Sequence, residues 1–311
     1  MGKEKVFKTI DEQVDILEAK GLTITDREKT KNILLKENYF FISGYRHIFM
    51  RSSKENKFRK GTTFDELYAL FTFDRKIRNI FFKNILVVEN NIKSLISYQL
   101  SKKYGFKESD YLNPKNFTSN PLKERQVLDI IEKMRRQIRV NGQKHSATIH
   151  YMSNYGYIPL WILVKVLSFG ITSELYSILK IDDQDAISSF YHIDSSTLSI
   201  YLLILSNYRN LCAHEDILYD HKTQKCIPNS RFHDLLIIPQ IDDEYIYGKN
   251  DLFAVVIILR QLLSRIEFNE FCNELHDQIK NLKKQLRSIN IVSVLDKVGF
   301  PSNWYEIKDI L

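Results

Sequence analysis

Glycine and proline are scarce in this chain, with 10 Gly and 6 Pro among 311 residues. Folds built from many short strands use both at their turns, so the scarcity argues against an all-β protein and toward long helices. Cysteine is scarcer still. Cys212, Cys226 and Cys272 are odd in number and widely spaced, with no pair at zinc-ligand or redox-motif spacing, which leaves no disulfide framework and fits a reducing compartment. No apolar run approaches the length that spans a bilayer, and Val6 to Asp15 is charged where a signal peptide would carry its apolar core. The expectation is a soluble, cytoplasmic protein with no membrane partner. An internal repeat, a glycine-rich phosphate loop and a dinucleotide fingerprint are also missing, which argues against a motor or a Rossmann enzyme and against a nucleotide cofactor.

What is present is apolar and basic. A hydrophobic content of 44% over this length can bury a large core, in one domain or two. The formal net charge of +7 favours an acidic partner such as nucleic acid. The charge is uneven: residues 1–60 hold 14 Lys and Arg against 9 Asp and Glu, whereas Ile181 to Ile200 holds four aspartates and no lysine or arginine.

Helical signals recur along the chain, and the fold class they imply is all-α. Ile10 to Lys20 reads as a short helix. Thr25-Asp26-Arg27-Glu28 has the spacing of a capping box and opens a second helix to about Asn38; Thr63-Phe64-Asp65-Glu66 opens a very long one to about Lys103, ending near Gly105. Tyr104 to Pro121 is polar and punctuated by Gly105, Pro114 and Pro121, as a loop would be. Leu122 to Val140 is amphipathic, and Leu160 to Phe169, entered through Pro159, is apolar on nearly all sides. Asp182 and Asp183 suit a helix cap better than a metal site. Glu215 to Lys249 lacks helical period and reads as a long connection with room for a small hairpin. Asn250 is placed to cap a final helix from Asp251 to about Arg287, a candidate for packing or dimerisation.

Two stretches suit nucleic acid. Tyr39 to Lys60 interleaves Tyr39, Phe40, Phe41, Tyr45, Phe49 and Phe58 with Arg46, Arg51, Lys54, Lys57, Arg59 and Lys60. Rings can stack unpaired bases while cations hold the backbone; equally, the rings can be core and the charges a solvated loop. The amphipathic helix from Leu122 carries Arg135 and Arg136 together with Arg125, Lys133 and Arg139, a density that could follow a phosphate backbone or merely solvate a helix face. His221, Cys226 and His233 suggest a metal by spacing alone, and no fourth ligand is evident, so no metal is expected.

The chemistry gathers at Tyr208-Arg209-Asn210-Leu211-Cys212-Ala213-His214, which closes an apolar helical run through Leu198, Tyr201, Leu202 and Leu205. An arginine fork can hold phosphate oxygens, a histidine can move a proton near neutral pH, and Asn210, one turn before His214, can orient it. On an ideal helix Asn207, Asn210 and His214 share a face, while Arg209 lies roughly 140° from His214, so one helix does not aim both at one point. The same residues permit a second reading, in which Arg209 pairs with a buried carboxylate such as Glu89 or Glu174 and His214 only ends a helix. Glu89 is a carboxylate among apolar neighbours, a partner for Arg209 or Arg75.

The Arg209–His214 segment resembles the Arg-Asn-x-x-x-His signature of HEPN ribonucleases. The wider chain resembles the Abi-like abortive-infection family, the AbiD/AbiF group, through an ordered set of matches. These are Tyr39 to Tyr45, Phe64, Phe73-Asp74-Arg75, Glu89, Pro159-Leu160-Trp161, Ser168-Phe169-Gly170 with Ser173, the Arg209–His214 motif, and Gly299-Phe300-Pro301 with Trp304. Lys165 departs from that pattern, which commonly has an acid there. The resemblance implies a HEPN-like helical bundle, read here as a basic N-terminal segment 1–60 followed by a domain 61–311, or as one continuous domain 1–311. It further implies a metal-independent endoribonuclease of phage defence or a toxin–antitoxin system, with Arg209, Asn210 and His214 catalytic and no cofactor. Its partners would be RNA, as substrate or as a structured noncoding strand held by Arg46, Arg51, Lys57, Arg59, Arg135 and Arg136, and a second copy of the chain, because one motif implies another across a twofold axis. The competing expectations are a catalytically silent HEPN module that binds RNA or neutralises a partner, and a purely structural helical protein.

Overall fold

In the computed structural model, which describes residues 6–52 and 55–310, fifteen α-helices and one two-stranded sheet make up the regular structure. Thr9 and Glu12 exchange side-chain-to-backbone hydrogen bonds and open α1 (Ile10–Ala19). Asp26, not Thr25, caps α2 (Arg27–Glu37): its carboxylate accepts from the Lys29 amide at 2.9 Å, and Thr25 is turned away to donate to Asp65. A short α3 (Tyr39–Ser43) runs into a 3-10 segment, Gly44–Phe49.

The axis of the molecule is α4 (Phe64–Tyr104), 41 residues long. The expected capping box opens it, with Thr63 and Glu66 bonded reciprocally, and Gly105 closes it at a φ of 100°, a conformation that side chains disfavour. Glu66 is buried and also accepts the Arg287 and Ser288 amides at 2.6 Å each, tying the start of the axis to the far end of the chain. Beyond α4 come α5 (Glu108–Tyr111), α6 (Glu124–Asn141), α7 (Ser146–Tyr155), α8 (Leu160–Val166), α9 (Phe169–Ser177), α10 (Ile181–Ser188), α11 (Ser195–Ala213), α12 (Arg231–Leu235), α13 (Leu252–Leu262), α14 (Arg265–Gln285) and α15 (Ile291–Val298). Helices α8, α9, α11 and α14 pack along α4, and α6 packs on α8 and α9.

Four expectations are corrected by local polar chemistry. The apolar segment from Leu160 is two helices, because chain direction changes at Leu167 and the Ser168 side chain accepts from the Ile171 amide to start α9. The final helix is likewise two, since Ser264 and Glu267 form a capping box inside the apolar period. Its first half is capped by Asp251 at the Ala254 amide, while Asn250 instead donates to the Thr223 carbonyl. Asp183 caps nothing; it is buried and accepts from Gln99, Lys103 and Tyr104, pinning α10 to the end of α4. The segment read as a loop after Tyr104 contains α5 and two 3-10 turns, and the long connection after His214 does hold a hairpin, β1 (Gln240–Ile241) with β2 (Glu244–Tyr245).

Buried apolar side chains form one cluster from Val14 in α1 to Ile307 near the C-terminal end. At about 1.5–3 kcal/mol for each large apolar side chain fully buried, this cluster is the main force holding α11 against α4. Among the described residues no helix is long and apolar enough to cross a membrane.

Candidate active site at the end of helix 11

Asp194 caps α11 by accepting from the Thr197 amide at 2.8 Å, and Leu198, Tyr201, Leu202, Leu205, Tyr208 and Cys212 are buried. Because the apolar stripe fixes the helix's rotation about its axis, Arg209 is turned toward α4. Its Nε lies 3.4 Å from Glu89 Oε2, and its guanidinium sits 5.8 Å from the centre of the Phe82 ring. The other oxygen of Glu89 accepts from Lys93 Nζ at 2.6 Å, and Lys93 also donates to the Leu167 carbonyl at 2.6 Å. One buried carboxylate therefore serves two cations. Of the two carboxylates considered for Arg209, Glu89 is the one met; Glu174 pairs with Lys133 instead. Among the described residues the terminal nitrogens of Arg209 make no hydrogen bond, so the fork that would grip phosphate is uncommitted.

His214 is the residue that follows and caps α11, its amide donating to the Asn210 carbonyl at 3.0 Å. Its exposed side chain lines a cavity of about 1100 Å³ bounded by the end of α2, α3, the following 3-10 segment, and residues 213–217. The chain beyond His214 is held from below. Arg78, 3% exposed, donates to the Asp216 carbonyl at 3.0 Å, and Asp74 accepts from the Leu218 amide at 3.1 Å and the Tyr45 hydroxyl at 2.7 Å. Arg78 and Asp74 lie 3.6 Å apart. Burial pushes the Asp74 carboxyl up to about 6 against the opposing pull of Tyr45, Leu218 and Arg78. Gly44 completes the mounting, because a Cβ there would lie 2.7 Å from the Ile217 side chain. In the sequence Asp74 stands out only within the family matches, Tyr45 only there and among the interleaved rings, and Arg78 not at all; an aspartate and an arginine four apart on one helix is the available signal.

The basic and aromatic candidates are divided among four places. Arg46 lines the His214 cavity together with Lys20, Lys36, Tyr39, Phe40 and Phe41, and Phe40 and Phe41 are exposed. Tyr45, Phe49 and Phe58 are core, so only part of the interleaved aromatic set reaches the surface. Arg75 also reaches the cavity wall but is held by Glu37 through two hydrogen bonds of 2.6 and 3.0 Å, which keep the Glu37 carboxyl below its usual range. Arg51 and Lys57 line a smaller neighbouring hollow, and Arg59 donates to the Met50 carbonyl. Lys54 lies outside the described residues. Arg135 and Arg136 are exposed on α6, whose packing partners are α8 and α9.

Asn207, Asn210 and His214 share an exposed face, as the helical spacing predicts. Asn207 Oδ1 lies 2.8 Å from His221 Nε2 and can only accept, so the ring nitrogen is the donor of this pair; burial lowers the pKa of that imidazole. The metal-like trio is dispersed: His233 is buried against the Gly248 carbonyl and Ser230, and Cys226 is exposed. Among the described residues no three His, Cys, Asp or Glu side chains gather as a metal site would require.

No curated protein and no solved structure gives a significant match to the chain. A family model described as "Abi-like protein" matches residues 32–220, which takes in Arg46, Asp74, Arg78, Glu89, Arg209 and His214. That span is more than half of the sequence, and the chain belongs to the Abi-like family.

Proposed function

We propose that this protein is an endoribonuclease of a phage-defence or toxin–antitoxin system. The family suggests an abortive-infection role, and the observation that supports the chemistry is an exposed histidine at a helix end, facing a large cleft with Lys20, Lys36 and Arg46 on its walls. In the reaction a base takes the proton of an RNA 2′-hydroxyl, O2′ attacks the adjacent phosphorus, and the P–O5′ bond breaks as an acid gives O5′ a proton, leaving a 2′,3′-cyclic phosphate and a 5′-hydroxyl. His214 moves one of the two protons, and Arg209 stabilises charge developing on the phosphate. Asn210 positions the histidine. No metal is required for any of these steps.

Within one protomer Arg209 and His214 diverge, so the working site is shared. We place the second copy across a twofold axis that brings together the exposed Asn207, Asn210 and His214 faces, forming one RNA cleft from a C2 homodimer. Light scattering should then give twice the chain mass at micromolar concentration.

A second reading, an RNA-binding module without catalysis, draws on the engagement of Arg209 Nε by Glu89. One experiment separates the two. Purified protein is incubated with mixed RNA in EDTA, beside an Arg209→Ala/His214→Ala control and a substrate carrying 2′-deoxyribose at the cut site. Cleavage that survives EDTA and spares the deoxy substrate is expected; robust cutting of single-stranded DNA would sink the mechanism, and binding without cutting would favour the silent module.

A further inference from the structure

The longest acid-free stretch that the proposed site does not use lies elsewhere. Between Glu132 and Glu174 the chain carries six Lys and Arg and no Asp or Glu. The fold gathers Tyr151, Tyr155, Tyr157 and Trp161 of this stretch into a closed circuit with Phe106. Tyr151 and Tyr155 lie 5.4 Å apart, Tyr155 and Tyr157 6.4 Å, Tyr157 and Phe106 5.9 Å, and Phe106 and Trp161 5.3 Å; Trp161 Nε1 then returns to the Tyr151 hydroxyl at 3.5 Å. Rings packed this way in a core would be covered. Here Tyr155, Trp161 and Phe106 are 58%, 41% and 37% exposed.

The rim of the circuit is cationic. Lys107 sits 5.1 Å above the Tyr157 ring and Lys165 follows Trp161 by one turn of α8; both are exposed. The nearest acids along the chain are turned inward, Glu108 accepting from the Ile158 amide and Asp110 from the Lys107 amide. Mutual packing fixes the rings in place, so little side-chain entropy is lost when a flat partner stacks on them. A flat partner that is also anionic fits both the rings and the lysines.

We infer that this aromatic circuit is a second binding surface for single-stranded RNA, with bases stacking on Trp161, Tyr155 and Phe106 and phosphates meeting Lys107 and Lys165. The surface also accounts for a basic residue at position 165, where an acid would repel the strand. It holds RNA that the His214 cleft does not need for cutting, so it rests on the RNA-binding part of the proposed function and not on cleavage.

The chain has two tryptophans, and the other, Trp304, is buried, so quenching of tryptophan emission reports on Trp161 directly. The test titrates an oligouridylate 12-mer into His214→Ala protein, which removes cleavage as a variable. Expected are quenching that disappears in a Trp161→Phe background and affinity about tenfold weaker, by anisotropy of a labelled 12-mer, in Lys107→Glu/Lys165→Glu protein, whose rings are intact. On the wild-type background, cleavage of a short substrate should be unchanged by the lysine substitutions. Two results overturn the inference: no quenching together with unchanged affinity of the charge variant, or sedimentation showing that Trp161→Ala abolishes self-association while RNA affinity is untouched, which would make the circuit a protein contact. Loss of cleavage in His214→Ala bears only on the active site and leaves this test standing.

Discussion

Arg209 and His214 stand five residues apart at the C-terminal end of α11, yet their surroundings are opposites. Arg209 is drawn inward to a buried carboxylate shared with Lys93, under the Phe82 ring. His214 is exposed at the edge of a cavity, and what holds it is the backbone beyond it, gripped by Arg78 and Asp74. The difference separates two roles. The arginine end is tied into the core through Glu89; the histidine end leaves its side chain free, so that replacing it has little structural consequence.

The largest expected effect follows from that freedom. His214→Ala should lower RNA cleavage by roughly 10²–10⁴-fold, the usual range for a lost general acid or base, while urea unfolding shifts by no more than about 0.5 kcal/mol. A comparable fall in stability would break the comparison, because it would make the histidine a structural cap.

At the other end Glu89→Ala should act in the reverse manner. It leaves Lys93, 7% exposed, without its carboxylate, and removing one partner of a buried ion pair costs about 3–5 kcal/mol. Urea denaturation measures this, and Glu89→Gln should recover part of the loss by keeping hydrogen-bond acceptance. If Glu89→Ala instead abolished cleavage at unchanged stability, Glu89 would belong to the chemistry.

This division was half legible in the sequence. The divergence of Arg209 and His214 follows from 3.6 residues per turn, and Glu89 stood out as a charge among Val87, Val88 and Ile92. The axis helix was legible too, since Thr63, Glu66 and Gly105 mark both ends. The splits at Ser168 and Ser264 were missed for one reason: continuous apolar periodicity masks a serine whose oxygen can cap a new helix as well as sit on an old one. The cavity was not legible at all. Its walls come from residues 20–56, 71–78 and 213–217, and the spacing within any one of these segments does not encode their meeting.

A smaller effect tests the mounting of the histidine end. The folded-state pKa of Asp74, raised to about 6 by burial, exceeds its ordinary value near 4, so the native state binds the proton more tightly than the unfolded chain between those limits. The contribution of Asp74 to stability is therefore full below about pH 4 and lost as pH rises through about 6. Asp74→Asn cannot titrate. The stability of wild type relative to Asp74→Asn should thus grow on going from pH 7 to pH 5, by an amount on the order of 1–2 kcal/mol, read as the difference between two urea series. A gap independent of pH would show that Tyr45 and Arg78 keep Asp74 ionised throughout.

The smallest effect is the most local. Gly44 has ordinary right-handed helical backbone angles, so alanine there is free of backbone strain and reduces unfolded-chain entropy, a gain of about 0.4–1 kcal/mol. Against this, its new methyl would sit 2.7 Å from Ile217 Cδ1. That atom is the far end of a flexible side chain and can move aside, so overpacking costs no more than about 1 kcal/mol and the net stability change of Gly44→Ala should be near zero. Cleavage is the more sensitive reading. Ile217 is three residues past His214 in the segment that Arg78 and Asp74 fix, and a displacement of a few tenths of an ångström passed back to the imidazole should slow the reaction by about two- to fivefold, given that 1 Å of misplacement can cost about a hundredfold. Unchanged stability with reduced cleavage would tie the close approach of Gly44 to positioning of the histidine; unchanged cleavage would mean that His214 is indifferent to the packing beneath its own loop.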